Sequence, residues 1–326
     1  MELFSEDAIQ RSLAKYFDNA TIKSFKHLKQ GVENTSIFVD IGHAQIVVRF
    51  WGDANHHAGV RNESDILGEL GLMQLYTANG LPVPKIYTSL AGNIYERYAD
   101  GSPYVVMDYA HGELPQDFTS DMVGQVGKVM GKMHLLAPGF NYPQERAWPG
   151  NVIKLADDRA NLYLKNYGTS QGDEHEFTRK VITDFKAAAA KADLADLPQG
   201  AIQGDIMDEN MKFENGKLTG IFDFDDYRYS FFLEDIVKTL FFKFENPSTC
   251  LFGKDGSNYA AFLESYESVR PLTPQEKTAL PLFCFTRFVY NVVNYYKKVA
   301  EGKEEYRARI PASIERYQQF ERYFKP

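Results

Sequence analysis

The chain has 326 residues, 44% of them apolar and 25% charged, with a formal net charge of −8. That length holds a large core and two domains or lobes. The acidic balance, with no Lys/Arg tract, argues against a nucleic-acid partner, and no uninterrupted apolar run approaches the ~20 residues of a membrane span. Only Cys250 and Cys284 occur, without zinc-type spacing, which argues against a disulfide or zinc framework and for a reducing compartment. The acidic, amphipathic start MELFSEDAIQRSLAKYF lacks the basic residues and apolar run of a signal peptide. A cytoplasmic protein is the expectation.

Residues 6–17 predict a short helix. The stretch IKSFKHLKQGVENTSIFVDIGHAQIVVRFW then predicts strand, turn, strand, turn, strand, because Ile37, Val39 and Ile41 alternate and so do Ile46 and Val48. In the first turn, Gly31 is followed by Asn34, Thr35 and Ser36. One glycine with small polar residues can aim backbone N–H groups at phosphate; a plain hairpin loop reads the same way. Arg49 closes the third strand. Residues 62–80 carry Ile66, Leu70 and Met73 at helical spacing, with Asn62 or Ser64 as cap and Gly80, Pro82 and Pro84 as stop. Residues 94–109 predict two more strands, leading into a turn at Gly112.

From there the pattern is helical. Met122, Val126, Val129, Met130, Met133 and Leu136 form one apolar stripe, and His134 within it reads as structural. Three prolines predict an irregular loop over 138–155. Helices are expected over 157–167, 175–193, FLEDIVKTLFF and 257–268. Thr273 and Glu276 form a capping box with Pro274 at the first helical position, opening a helix to about Ala300. A last helix spans roughly 312–324.

The stretch between, AIQGDIMDENMKFENGKLTGIFDFDD, carries the chemistry. Asn215-Gly216 between short apolar runs predicts a two-residue hairpin, since both turn positions need positive φ. Counting back from a 214/217 pair sets Asn210 opposite Ile221 and puts Asp223 on the same face. Asn210 and Asp223 then form a diagonal oxygen pair that Mg²⁺ can bridge. Asp205 lies just before the first strand as a lone carboxylate fit to orient a hydroxyl. Asp and Asn around a turn are also ordinary turn formers.

The spacing Asp-x-x-x-x-Asn, hairpin, Asp-Phe resembles the protein-kinase-like signature, and in detail the aminoglycoside phosphotransferase and choline kinase-like family, including homoserine kinase-like members. Gln203-Gly204-Asp205 stands where that family has His-Gly-Asp, so Gln203 is a departure; Met207, Asp208 and Glu209 also depart. The resemblance runs over nearly the whole chain and implies an α+β, protein-kinase-like two-lobe fold. An N-terminal antiparallel sheet lobe over 1–108 would bind nucleotide, and a mostly helical C-terminal lobe over 109–326 would carry the catalytic loop and acceptor site.

It further implies ATP and Mg²⁺ as cofactors, with Asp205 catalytic and Asn210 and Asp223 on metal. Gly31, Asn34, Thr35 and Ser36 would cover the phosphates. Arg49 would hold them, aimed by Glu69 with Glu63 as fallback. Backbone groups of Met107, Asp108 and Tyr109 would meet the adenine edge, and Asp235 would anchor the catalytic loop. The acceptor pocket draws on Asp208, Asp225, Asp226, Arg287, Tyr290, Asn291 and Tyr295, where acids and aromatics suit a cationic amino alcohol. The expected function is transfer of the ATP γ-phosphate to a hydroxyl of a small metabolite or aminoglycoside-like acceptor, with neither nucleic acid nor membrane as partner. A nucleotide-binding regulator that has lost chemistry is the alternative, motivated by Gln203 and the altered 207–209 loop. A Ser/Thr protein kinase is less supported, because no Ala-Pro-Glu-like text follows Asp223.

Overall fold

The structure, a computed structural model, describes residues 5–28, 34–51, 62–98, 100–115, 117–140, 152–241 and 258–324. Helix α1 (Glu6–Leu13) opens the chain, capped by Ser5. Five antiparallel strands follow: β1 (Ser24–His27), β2 (Asn34–Asp40), β3 (Gln45–Trp51), β4 (Glu96–Arg97) and β5 (Pro103–Asp108). Their order in the sheet is β1-β2-β3-β5-β4. Helix α2 (Glu63–Ala78) lies between β3 and β4, with Asn62 accepting from the Asp65 N–H as its cap.

The period-2 alternation of the strands decides which residues reach the site. Ile46, Val48 and Phe50 pack with Ile9 and Leu13 of α1 and with Tyr16 just beyond it. Trp51 falls on the other face, in the core shared with Ile66, Leu70 and Met73 of α2. Arg49 belongs to that second face, so the alternation turns it toward α2.

The second lobe is mostly helical: α3 (Ser120–Leu136), α4 (Val152–Tyr167), α5 (Asp173–Ala189), α6 (Phe232–Phe241), α7 (Tyr259–Glu267), α8 (Pro274–Ala300) and α9 (Arg309–Phe324). The capping box at Thr273 and Glu276 is present at the start of α8. Two small ribbons complete the lobe: β6 (Gln199–Ile202) with β9 (Arg228–Phe231), and β7 (Met211–Glu214) with β8 (Lys217–Ile221). The β6/β9 ribbon escapes the sequence reading, since four-residue strands carry little periodic signal. Helix α4 starts at Val152 rather than after 155, ahead of the predicted boundary. Among the described residues no helix is long and apolar enough to cross a membrane.

Two contacts among those that hold these parts together bear on the site. Gly68 of α2 meets Tyr227 so closely that a Cβ there would lie 2.0 Å from the tyrosine Oη. The segment after β5 grips the β7/β8 ribbon: Glu113 and Phe213 exchange backbone hydrogen bonds of 3.0 and 2.9 Å, and Lys212 Nζ donates to the Ala110 carbonyl.

Candidate active site

The Asn215-Gly216 turn forms as read, with φ of 51° and 75°. The register does not run as counted. Glu214 pairs with Lys217 and Phe213 with Leu218, but Lys212 then pairs with Gly220 and Met211 with Ile221. Thr219 is the extra residue of a bulge, and its hydroxyl lies 2.6 Å from the His111 carbonyl and 3.0 Å from that of Lys212, with one proton to give. Met211, not Asn210, therefore faces Ile221. Asn210 ends a 3₁₀ turn, Asp208–Asn210, and its carbonyl accepts from Phe222 N–H at 3.0 Å. Asp223 lies beyond the strand in the left-handed region at φ 60°, so strand alternation no longer sets where it points.

What brings the three residues together is side-chain bonding. Asn210 Nδ2 donates to the Asp205 carbonyl at 3.0 Å and to Asp205 Oδ2 at 2.9 Å. Both amide protons are committed, which leaves the Asn210 oxygen as the atom that could ligate a cation. Gln203, 1% exposed, accepts from Asp205 N–H and donates to the Asp223 carbonyl, each at 2.5 Å. Gly204 adopts φ 82°, and a Cβ there would lie 2.3 Å from the Asp226 carbonyl oxygen. Its N–H donates to Asp235 Oδ1 at 2.9 Å, so Asp235 anchors this loop. Asp235 in turn meets His134, which meets Tyr266 at 2.8 Å.

Arg49 binds Glu69 at 2.9 Å, with both side chains buried, and reaches Asp223 at 3.5 Å and Asp225. Glu63, the fallback partner, accepts instead from Tyr95 Oη. The Arg49–Glu69 pair is not the exposed contact worth ~0–1 kcal/mol; removing one partner of a buried pair costs about 3–5 kcal/mol. Asp223 exposes 46% of its side chain to the cleft. Its carboxyl is pushed above its ordinary value, by desolvation first, with Asp205, Glu69 and Asp226 adding and Arg49 opposing.

Other predicted positions move. Gly31 lies outside the described residues. Asn34, Thr35 and Ser36 are not loop residues but the first three of β2, paired with Trp51, Phe50 and Arg49. The Asn34 amide donates to Asp225, so Asp225 belongs with Arg49 rather than with an acceptor pocket. Of the adenine-edge segment, the N–H groups of Asp108 and Tyr109 already bond to the Lys85 and Gln45 carbonyls at 2.9 and 3.0 Å. Those two donors are engaged within the protein. Asp208 is 5% exposed and accepts from Glu209 N–H, a turn residue rather than a pocket wall.

Arg287, Tyr290, Asn291 and Tyr295 lie on α8. Burial lowers the Arg287 pKa, against opposing pulls from Tyr290, Tyr295, Asp205 and Glu234. Arg159 of α4 covers the Tyr290 ring at 3.6 Å and donates to its carbonyl. Lys238, passed over in the sequence, ion-pairs Asp205 Oδ1 at 2.8 Å and Asp226 Oδ2 at 2.6 Å. Its i+3 spacing from Asp235 is the signal that could have found it.

Among the described residues no cluster of three or more His, Cys, Asp or Glu is arranged to hold a metal. The donor set here is an amide oxygen and a carboxylate, hard oxygens that suit a small divalent cation keeping its own water or phosphate ligands.

A sheet lobe, a helical lobe, and an Asp, Asn and second Asp gathered at their junction define a kinase-like phosphotransferase. The model of the phosphotransferase enzyme family matches residues 24–272, and the chain belongs to that family. It is a small-molecule kinase, an ATP-dependent phosphotransferase with an alcohol acceptor. The homoserine kinase of Polaromonas naphthalenivorans (strain CJ2) is 28% identical over 298 residues, covering 86% of this chain and 84% of that one. The fold resembles an aminoglycoside phosphotransferase from Alicyclobacillus acidocaldarius, with TM-score 0.70 and 14% identity over 97% of this chain and 94% of that one. It also resembles amicoumacin kinase hAmiN, solved with AMP-PNP, Ca²⁺ and Ami, with TM-score 0.65 and 17% identity over 96% and 93% of the two chains.

Proposed function

We propose that the chain phosphorylates a hydroxyl of a carboxylate-bearing amino acid, with homoserine as the first candidate, using Mg²⁺·ATP. The observation that carries the chemistry is Asp205, held by Asn210 on one oxygen and Lys238 on the other. Each carboxylate oxygen retains a second lone pair, so Asp205 can accept the acceptor hydroxyl and aim its oxygen at the γ-phosphorus. As the new O–P bond forms and the bridging P–O bond to ADP breaks, the hydroxyl proton passes to Asp205. Arg49, aimed by Glu69, holds phosphate oxygens. The Asn210 oxygen and Asp223 hold the metal, which supplies neutralisation of phosphate charge when bound. Positioning and electrostatics account for most of the rate. The lobe boundary falls at 108/109, where β5 ends.

The acceptor class rests on α8 and on the homoserine kinase relative. Asp225 is engaged by Arg49 and Asp208 is buried in a turn, which removes two of the acids that favoured a cationic alcohol. Arg287 of α8 interacts electrostatically with Asp205, which makes it the candidate partner for an acceptor carboxylate. A planar fork suits a carboxylate. The regulator alternative loses one of its two motives, because Gln203 donates to the Asp223 and Phe222 carbonyls and accepts from Asp205 N–H, tying the loop to Asp223 in the place of a histidine.

The test is ADP release with homoserine, an amino alcohol lacking the carboxylate, and an aminoglycoside. Homoserine is expected to give the highest kcat/KM, and Asp205→Ala to abolish turnover while ATP still binds. Preference for the amino alcohol would overturn the acceptor class; full turnover in Asp205→Ala would overturn the site.

A further inference from the structure

One face of α6 grips three consecutive residues of the catalytic loop. Asp235 accepts from Gly204 N–H at 2.9 Å, Lys238 pairs with Asp205 Oδ1 at 2.8 Å, and Thr239 Oγ1 donates to the Ile206 carbonyl at 2.7 Å. The spacing i, i+3, i+4 places all three on one side of the helix. Two of these bonds go to the backbone and hold the loop's path. The Lys238 bond alone goes to the reactive side chain.

Lys238 is 7% exposed, so its ammonium has left bulk water to sit between Asp205 and Asp226. A buried lysine between two acids fixes both by charge-assisted bonds. With Asn210 Nδ2 on Oδ2 and Lys238 Nζ on Oδ1, the Asp205 carboxylate is pinned at both ends. Its plane, and hence the direction in which it receives a hydroxyl, is set by two side chains from different elements.

Resting on the reading of Asp205 given above, we propose that Lys238 is a positioning residue for phosphoryl transfer. It holds the Asp205 carboxylate in the plane that aims the acceptor hydroxyl. It acts on turnover and not on nucleotide binding, because its ion pairs go to Asp205 and Asp226, whereas Arg49 pairs with Glu69, Asp223 and Asp225.

The experiment is a double-mutant cycle on the full chain, read by kcat, by KM for ATP and by thermal melting. Lys238→Met is expected to lower kcat by about 10²-fold, the size of effect a misplacement of roughly 1 Å produces, with KM for ATP little changed and Tm lowered because two acids lose their cation. Lys238→Arg, which keeps a cation within reach, recovers most of that loss. In the Asp205→Asn background, Lys238→Met costs less than about threefold more, because residues that act as a unit are non-additive. If Lys238→Met unfolds the chain, Lys238→Gln replaces it with the same expected loss. Wild-type kcat in the lysine variant, or a loss that multiplies fully onto that of Asp205→Asn, overturns the proposal and leaves the catalytic reading intact. Full turnover in Asp205→Asn overturns that reading itself.

Discussion

Gln203 spans the gap between the catalytic loop and Asp223: its Oε1 accepts from Asp205 N–H and its Nε2 donates to the Asp223 carbonyl, both at 2.5 Å. Asp223 is a non-glycine residue at φ 60°, a conformation that persists only where surroundings over-determine it. The Gln203 amide supplies that hold from a buried position. Its Nε2 also donates to the Phe222 carbonyl at 3.3 Å; imidazole, with one N–H and one acceptor nitrogen, can keep the two shorter bonds.

Gln203→His is therefore expected to keep kcat within about fivefold, since both hydrogen bonds survive. Gln203→Leu leaves a buried N–H and a buried carbonyl without partners, at about 1–3 kcal/mol each, and should lower kcat by more than tenfold while lowering Tm. Steady-state kinetics and melting of the two variants together check this. Equal losses in both would show that hydrogen bonding is not what the position requires.

Arg49 meets Glu69, Asp223 and Asp225 from one guanidinium. Glu69 is fully buried. Arg49→Ala strands that charge and should destabilise the chain by about 3–5 kcal/mol. Arg49→Lys keeps the charge and loses the fork, so KM for ATP should rise more than kcat falls. Denaturant titration and ATP-dependence measurements separate these effects.

His134 is buried, and desolvation first holds its pKa below the ordinary 6.5, although Asp235 pulls the other way. A depressed folded-state pKa means the unfolded chain binds the proton more readily. Stability from this residue is full above pH 6.5 and falls as pH drops below it, at up to about 1.4 kcal/mol per pH unit. Urea unfolding at pH 7.5 and 5.5 should show a larger drop in the parent than in His134→Gln. An equal drop would place the proton uptake elsewhere.

Gly68 leaves room for Tyr227 where a Cβ would meet its Oη at 2.0 Å. Gly68→Ala should cost about 1–3 kcal/mol by overpacking and, by pushing α2 and its Glu69 off the second lobe, raise KM for ATP. Tyr227→Phe in the same chain removes the nearest atom and should recover part of both. No recovery would mean that the alanine acts through the helix alone.

The local features were legible in the residues. Asn215-Gly216 specified its turn, Thr273 and Glu276 their capping box, and Asn62 or Ser64 the start of α2, because each depends on bonds made within a few residues. The order of parts along the chain identified the fold class for the same reason that no single part could: each is common, and the series is not. The site was legible in its members and not in its geometry. A bulge at Thr219 shifts the ribbon by one residue, and the left-handed turn at Asp223 cancels the alternation that counting relies on. Asn34 and Asp225 meet across 191 positions, and Lys238 reaches Asp205 only because α6 packs under the loop. Those relations are set by how separate elements dock, and docking is governed by burial and hydrogen-bond satisfaction over the whole core rather than by any neighbourhood in the chain.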